Sequence, residues 1–241
     1  MSGPVAARLA AVRERIARAA RRSGRPGDAV TLVGVAKRHP ADAIADAVRA
    51  GLGAVGENYL QEAQAKIPEV AARLAREGLR APRWHFVGHL QRNKARHVAR
   101  LFDVVETVDS PELGAELDRR AAALRRRLEV LFQLNLCGEA RKSGLDPQAL
   151  PALVEASGAW ASLDPIGLMT MPAASPDPEA GRPVFARLRE LLERAPALPR
   201  GGRLRELSMG MSGDFEVAIE EGATIVRVGT AIFGPRGEES G

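Results

Sequence analysis

The chain has 241 residues, of which 45% are hydrophobic and 27% are charged, a composition typical of a globular protein that buries its own core. Its single cysteine, Cys137, excludes an intramolecular disulfide framework, and no apolar run approaches the roughly 20 residues of a membrane-spanning helix. Because 30 acidic residues nearly balance 35 Lys and Arg and only 4% are aromatic, we expect a cytoplasmic protein that binds neither nucleic acid nor membrane.

Helical and strand-like segments alternate along the chain. An amphipathic helix comes first, with Val5, Leu9, Val12, Ile16 and Ala19 on one face. The β-rich runs predict strands at 29–36, 54–57, 83–88, 102–108, 128–135, 165–170, 204–210 and 223–229. The stretches between them predict helices at 41–50, 58–74, 92–101, 111–127, 147–156, 179–194 and 214–221.

This alternation predicts an α/β fold. Several strands are apolar on both faces, as is typical of a parallel sheet covered by helices. Eight strands with their helices fit a (β/α)8 TIM barrel, a single domain over residues 1–241 with an extra N-terminal helix. A doubly wound open sheet is the alternative, although no dinucleotide glycine fingerprint follows the first strand.

Lys37 closes the first predicted strand, in the sequence TLVGVAKRHP. Functional groups of a TIM barrel collect at the carboxyl ends of its strands. A lysine in a partly desolvated cleft there can lose its proton and attack an aldehyde to form a Schiff base. A lone lysine at a strand end is more often an ordinary surface cation, so this position alone decides little.

The C-terminal segment SMGMSGDFEVAIEEGATIVRVGTAIFG strengthens the case for a binding site. Its turn GMSGD offers backbone amides and the Ser212 hydroxyl to an anion, with Asp214 as the expected N-cap of the next helix. Strand alternation points Arg227 into the barrel, and Gly229 and Thr230 end the strand beside it. The simpler alternative is a pair of glycine-rich turns with an arginine that is paired to a glutamate.

A Schiff-base lysine and an anion site in one cavity would together suit a phosphorylated aldehyde. Barrels of this kind often bind phosphate after strands seven and eight. Pyridoxal 5′-phosphate (PLP) is therefore the cofactor that we expect.

Six motifs carry a family resemblance that runs in order from about residue 8 to residue 234. They are LVGVAKRHP, VGENYLQEA, WHFVGHLQRNK, ARKSGL, GLMTMP and the C-terminal segment quoted above. Together they resemble the pyridoxal phosphate homeostasis proteins, the YggS/PROSC family. The resemblance implies a PLP-binding barrel of the alanine-racemase N-terminal domain type.

The resemblance also implies roles for individual residues. Lys37 would hold PLP as a Schiff base, and Arg227 would face the pyridine nitrogen. The phosphate would be bound by Ser212, Gly229 and Thr230, while Asn58 would line the pocket and Met211 would pack nearby. Many relatives have Ser-Lys-Thr where this chain has Ala36-Lys37-Arg38, and Asp or Ala where it has Gly213; neither change affects a group with an assigned role.

These roles favour a PLP carrier or regulator over an enzyme. An arginine at the ring nitrogen disfavours ring protonation and so weakens the electron sink that stabilises carbanions. A two-base racemase also needs a second acid/base opposite the lysine. The racemase family supplies a tyrosine from an additional C-terminal domain, for which the eleven residues after Thr230 leave no room. The chain's only tyrosine, Tyr59, is expected to be a packing residue, and a PLP-dependent racemase-like enzyme is the alternative.

Several polar residues have no assigned role in this interpretation. His85 and His89 could lie in the pocket or the core, and Lys142 could contact a phosphate or solvent. No spacing of His and Cys predicts a metal site. The expected partners are PLP and, as candidate recipients, PLP-dependent apo-enzymes, and the family resemblance implies a monomer.

Overall fold

Eight short parallel strands form a closed barrel in which strand order equals chain order and β8 pairs with β1. The structure is a computed structural model that describes residues 3–138 and 143–235. The strands are β1 (Thr31–Val35), β2 (Ala54–Glu57), β3 (Arg83–Phe86), β4 (Val104–Val108), β5 (Leu128–Gln133), β6 (Leu163–Met169), β7 (Glu206–Ser208) and β8 (Ile225–Val228).

Helices follow the strands and cover the outside of the barrel. Within the described ranges they are α1 (Pro4–Arg22), α2 (Ala41–Arg49), α3 (Leu60–Arg76), α4 (Ala95–Leu101), α5 (Pro111–Ala123), α6 (Leu150–Ala156), α7 (Arg182–Arg194), α8 (Phe215–Glu220) and α9 (Thr230–Phe233). Helix α5 shows how the sequence sets a helix start. The Ser110 hydroxyl accepts a hydrogen bond from the Leu113 N–H (3.3 Å), and Pro111 occupies the first turn, where no N–H is needed.

The TIM-barrel prediction is confirmed, and the open sheet is excluded because β8 pairs with β1. All eight predicted strands are present, with differences confined to their ends, whereas helix α9 was not predicted. Strand β6 begins at Leu163, two residues before the predicted start at Pro165. Pro165 lies inside the strand next to a register irregularity in the β5–β6 pairing, the kind of position where a residue without an N–H is tolerated.

The hydrophobic core has two parts. The larger part lies between the helices and the outside of the barrel and includes Phe102, Phe132, Phe185 and Phe215, all fully buried. The smaller part fills the inside of the barrel and consists of Val33, Ala54, Val104, Leu131, Met169 and Ile225. Two residues further along β4 and β8, the buried positions change to Glu106 and Arg227, so the barrel interior becomes polar towards the carboxyl ends of the strands.

Helix α1 packs on the outside of the barrel against α2, α8 and α9. Four of the five apolar residues predicted to share its packing face are buried, and Val5 is partly buried. The face predicted from the sequence is therefore confirmed. None of the helices in residues 3–138 and 143–235 is long and apolar enough to cross a membrane.

Candidate functional site

A cavity of about 240 Å³ opens among the carboxyl ends of the strands. It is lined by all seven residues that the sequence assigns to the cofactor: Lys37, Asn58, Met211, Ser212, Arg227, Gly229 and Thr230. Val35, Val87, Met171 and Gly213 complete the lining. The cavity is smaller than the roughly 300–1,000 Å³ that pockets for drug-sized ligands have, so it suits one small molecule.

A larger cavity, of about 640 Å³, lies at the opposite end of the barrel, where it is lined by residues of the strand starts such as Thr31, Arg83 and Glu206. TIM-barrel active sites lie at the carboxyl ends of the strands. We therefore assign function to the smaller cavity.

Lys37 reaches its cavity from a tight turn that follows β1. The Ala36 N–H donates to the Gly56 carbonyl (2.9 Å), which continues the pairing with β2, and the His39 N–H donates back to the Ala36 carbonyl (3.0 Å). Arg38 has a φ of 62°, a left-handed conformation that is uncommon for a residue with a side chain. Lys37 therefore sits in a turn that its surroundings hold in place.

Asn58 follows the end of β2 and lines the same cavity. Its Oδ1 atom is buried and has no hydrogen-bond partner in the described part of the chain. Buried polar atoms in folded proteins are nearly always paired. An unpaired acceptor beside a cavity is therefore a position where a bound ligand can supply the missing donor.

Arg227 lies inside the barrel and is only 4% exposed. Its Nη1 donates to the Ser208 hydroxyl (2.5 Å) and its Nη2 to the Thr170 carbonyl (2.9 Å). The Glu106 carboxylate lies 3.6 Å from Nη1. The simpler alternative, an arginine paired to a glutamate, is therefore also present, and the same arginine lines the cavity.

Glu106 is the centre of a buried polar network that the sequence analysis missed. Its Oε1 lies 2.7 Å from His85 Nδ1, and its Oε2 accepts from the Ser208 hydroxyl (2.6 Å). Burial acts to raise the pKa of this carboxyl. Three neighbours outweigh burial and hold the pKa below its ordinary value. They are His85, through its hydrogen bond and charge, Arg227, through its charge, and Ser208, through its hydrogen bond.

An ionised Glu106 balances the charge of Arg227 in the barrel. Burial lowers the pKa of the Arg227 guanidinium, opposed by the charges of Glu106 and Asp214, but an arginine stays protonated in proteins. The network also fixes a proton on His85, because an ionised carboxylate can only accept and His85 Nδ1 must donate to it. Arg227 is thus held as a fixed cation at the edge of the cavity.

Two backbone N–H groups from residues just after β8 converge on the side chain of Ser212. The Ser212 hydroxyl accepts from the Gly229 N–H (3.3 Å) and from the Ala231 N–H (3.4 Å). Ala231 was not predicted from the sequence, since nothing in an alanine side chain indicates a backbone donor. Converging N–H groups and a hydroxyl form a suitable site for an anion.

The backbone approaches closely at Gly229. A Cβ atom at this position would lie 3.1 Å from the Val35 carbonyl oxygen of β1. The glycine therefore lets the end of β8 lie against the end of β1, beside Lys37.

Asp214 occupies the predicted N-cap position of α8. Its side chain, however, makes no capping bond to the helix. Its Oδ1 instead accepts from the Met211 N–H (2.6 Å) and so closes the turn that carries Ser212. Aspartate side chains suit both arrangements, and only the backbone path selects between them.

The remaining polar candidates lie away from the cavity lining. His85 lies within the barrel on Glu106, whereas His89 is exposed and its Nδ1 lies 3.1 Å from the Ser143 hydroxyl. Tyr59 is 46% exposed and does not belong to the cavity lining. Lys142 lies outside the described residues. Within the described ranges, no group of three His, Cys, Asp or Glu could hold a metal ion.

Three comparisons with known proteins each cover nearly the whole chain. The family model "Alanine racemase, N-terminal domain" matches residues 7–237. The pyridoxal phosphate homeostasis protein of Pseudomonas aeruginosa is 44% identical over 232 residues, which cover 96% of each chain. PipY of Synechococcus elongatus, solved with PLP bound, is 39% identical with a TM-score of 0.77, and the match covers 95% of this chain and all of PipY.

More distant barrels share the fold alone. The alanine racemase of Corynebacterium glutamicum is 17% identical with a TM-score of 0.66, and the match covers 97% of this chain but 64% of the racemase. High identity over nearly the whole length, the matching family model and the barrel topology agree. The chain belongs to the alanine racemase N-terminal domain family and, within it, to the pyridoxal phosphate homeostasis proteins.

Proposed function

We propose that this protein binds PLP as a Schiff base on Lys37 and holds the cofactor without efficient amino-acid turnover, as part of intracellular PLP homeostasis. The observation that carries the proposal is that Lys37, Arg227 and the amides around Ser212 all meet at one cavity of about 240 Å³. The names of its relatives and the PLP bound to PipY support it further.

The residues at the cavity fit the three functional groups of PLP. Ser212, Gly229 and Thr230 would bind the phosphate through a hydroxyl group and backbone N–H groups. Arg227 would face the pyridine nitrogen, and Lys37 would meet the aldehyde. The unpaired Oδ1 of Asn58 offers one further acceptor, and Met211 would pack against the ring.

Lys37 would bind the cofactor covalently through a condensation reaction. The amine would condense with the aldehyde: its two hydrogens would leave with the carbonyl oxygen as water, and a C=N bond would replace the C=O bond. PLP bound in this way supplies an electron sink for amino-acid chemistry. A fixed positive charge on Arg227 disfavours protonation of the ring nitrogen and so weakens that sink.

An absorption spectrum with a matched variant tests the binding proposal. Wild-type protein mixed with PLP should show a Schiff-base band near about 420 nm. After borohydride reduction, the cofactor should be found on the peptide that contains Lys37. Lys37→Ala should lose the band and the label, whereas Lys94→Ala, at an exposed position away from the cavity, should keep both. Retention of the same band by Lys37→Ala would contradict the proposal.

The cavity lining supports a carrier rather than a racemase. Among the described lining residues, Lys37 and Arg227 are the only titratable side chains. Tyr59 does not belong to the lining and is nearly half exposed. A racemase needs a second acid/base on the face opposite the lysine, and no described lining residue provides one.

Hydrogen exchange at the α-carbon separates the carrier from the racemase alternative. We expect exchange of α-deuterium from amino acids to be slower than about 1 s⁻¹, an ordinary enzymatic rate. Exchange at that rate or faster would favour the enzyme. The candidate recipients of the cofactor are PLP-dependent apo-enzymes, and we propose that the chain acts as a single-domain monomer in the cytoplasm.

A further inference from the structure

A charged cluster lies directly behind the turn that carries Lys37. It consists of Lys66 and Glu62 from α3 and Glu57 from the end of β2, and we call it the Lys66 cluster. Lys66 Nζ donates to Glu57 Oε1 (3.0 Å) and to Glu62 Oε2 (2.6 Å). None of the three residues lines the proposed PLP cavity.

The Lys66 cluster holds both peptide groups that flank the α-carbon of Lys37. Lys66 Nζ donates to the carbonyl of Ala36 (3.0 Å), in the peptide bond before Lys37. Glu62 Oε2 accepts from the N–H of Arg38 (2.8 Å), in the peptide bond after Lys37. The backbone of Lys37 is therefore fixed from both sides by side chains of one helix.

These bonds hold a turn that the local sequence does not favour. Arg38 adopts a φ of 62°, which a residue with a side chain keeps only when its surroundings impose it. The Arg38 N–H bond to Glu62 lies at this position. Without the cluster, the turn would be free to relax towards more common backbone angles. The Lys37 side chain would then enter the cavity from a different direction.

Lys66 itself is unsuited to carry the cofactor. An ammonium group has three N–H donors and no lone pair, and Lys66 directs donors at three acceptors, the Ala36 carbonyl, Glu57 and Glu62. Its side chain is only 13% exposed. Lys66 therefore acts as a largely buried cation that binds the backbone, whereas Lys37 lines the cavity.

We propose that Lys66 and Glu62 are positioning residues for Lys37, which fix the direction in which its amine enters the cavity. This inference rests on the proposed function, because it concerns the amine that would form the Schiff base. It assigns the two residues no contact with PLP. Their loss should impair bond formation at Lys37 and leave the phosphate and ring sites intact.

Two ligands separate these effects. PLP can form the Schiff base, whereas pyridoxine 5′-phosphate has the same ring and phosphate but an alcohol in place of the aldehyde. Lys66→Met should weaken PLP binding by about tenfold, the factor that one hydrogen bond to a charged group typically supplies. Its affinity for pyridoxine 5′-phosphate, measured by calorimetry, should stay within about twofold of wild type, since a factor of two is well below one such bond.

Glu62→Ala provides a second variant in case Lys66→Met fails to fold, because the Glu62 side chain is 29% exposed. It should show the same selective loss for PLP. Glu69→Ala is the matched control on the same helix, since Glu69 pairs with Arg73 in the described part of the chain and not with the Lys66 cluster. This variant should bind both ligands as wild type does. Lys94→Met serves as the lysine control.

The outcomes distinguish the inference from the proposed function. Equal losses for both ligands, or no loss for either, in Lys66→Met and Glu62→Ala would overturn the positioning role. If wild-type protein itself bound both ligands alike and could not be labelled at Lys37 by borohydride, the proposed function would be wrong instead.

Discussion

Replacing Glu106 with glutamine should lower the free energy of unfolding of the cofactor-free protein by about 3 kcal/mol, because breaking a buried ion pair from one side leaves a charge without compensation. Glutamine has nearly the same shape as glutamate but carries no charge. Arg227, 4% exposed, would remain as a cation inside the barrel with its carboxylate partner gone.

The geometry sets this magnitude. One-sided loss of a buried pair typically costs about 3–5 kcal/mol. Arg227 lies 3.6 Å from Glu106 and keeps its bonds to Ser208 and Thr170, which places the cost at the lower end of that range. For a chain of this length, each kcal/mol corresponds to roughly 2–4 °C in Tm, so Tm should fall by about 6–12 °C.

Urea unfolding followed by circular dichroism measures the effect. Glu190→Gln is the matched control, because Glu190 is 52% exposed and lies 4.0 Å from its partner Arg194; it should change stability by less than about 0.5 kcal/mol. The double variant Glu106→Gln/Arg227→Gln should lose at least about 1 kcal/mol less than the sum of the two single losses. Strict additivity would refute the coupling of Glu106 to Arg227.

The difference in free energy of unfolding between wild type and Glu106→Gln should depend on pH. The pKa of Glu106 is held below its ordinary value in the folded protein, chiefly by His85 against the opposing effect of burial. Its stabilising contribution is therefore present above the ordinary carboxyl range and is lost as pH falls through the folded-state pKa. The gap between wild type and Glu106→Gln should shrink below about pH 4, the ordinary carboxyl pKa.

Two further predictions concern Glu57 and Gly229. Burial raises the pKa of Glu57 to about 7, although Lys66 opposes it. The folded protein therefore retains a proton that the unfolded chain releases. As pH rises from 5 to 7, the free energy of unfolding of wild type should fall relative to that of Glu57→Gln by at most about 3 kcal/mol. Parallel pH curves for the two proteins in urea unfolding would contradict this. Gly229→Ala would place a Cβ 3.1 Å from the Val35 carbonyl and displace the N–H groups near Ser212, so we expect PLP affinity to fall about fivefold, or roughly 1 kcal/mol. Gly53→Ala, where a Cβ meets nothing within 4 Å, should bind PLP as wild type does.

The sequence by itself predicted eight strands of a parallel α/β fold and, with the family resemblance, seven of the eleven residues that line the cavity. Alternating strand and helix patterns located all eight strands, because hydrophobic periodicity is a local property that a single segment reveals. The topology of parallel barrels then brings the carboxyl ends of the strands to one face. Lys37 and Gly229 could therefore be grouped as strand-end residues, whereas Asn58 and Met211 were assigned only through the family resemblance.

Only the tertiary structure decided which side chains support that lining. Period-two alternation gives the face on which Glu106 and Arg227 lie, but β4 and β8 are not neighbours in the sheet. Their approach to 3.6 Å depends on barrel closure and strand register, which no local pattern encodes. The same holds for Lys66, because its contact with the Ala36 carbonyl depends on how α3 packs behind the β1 turn. A residue's face follows from its own segment, whereas its partner follows from the path of the whole chain.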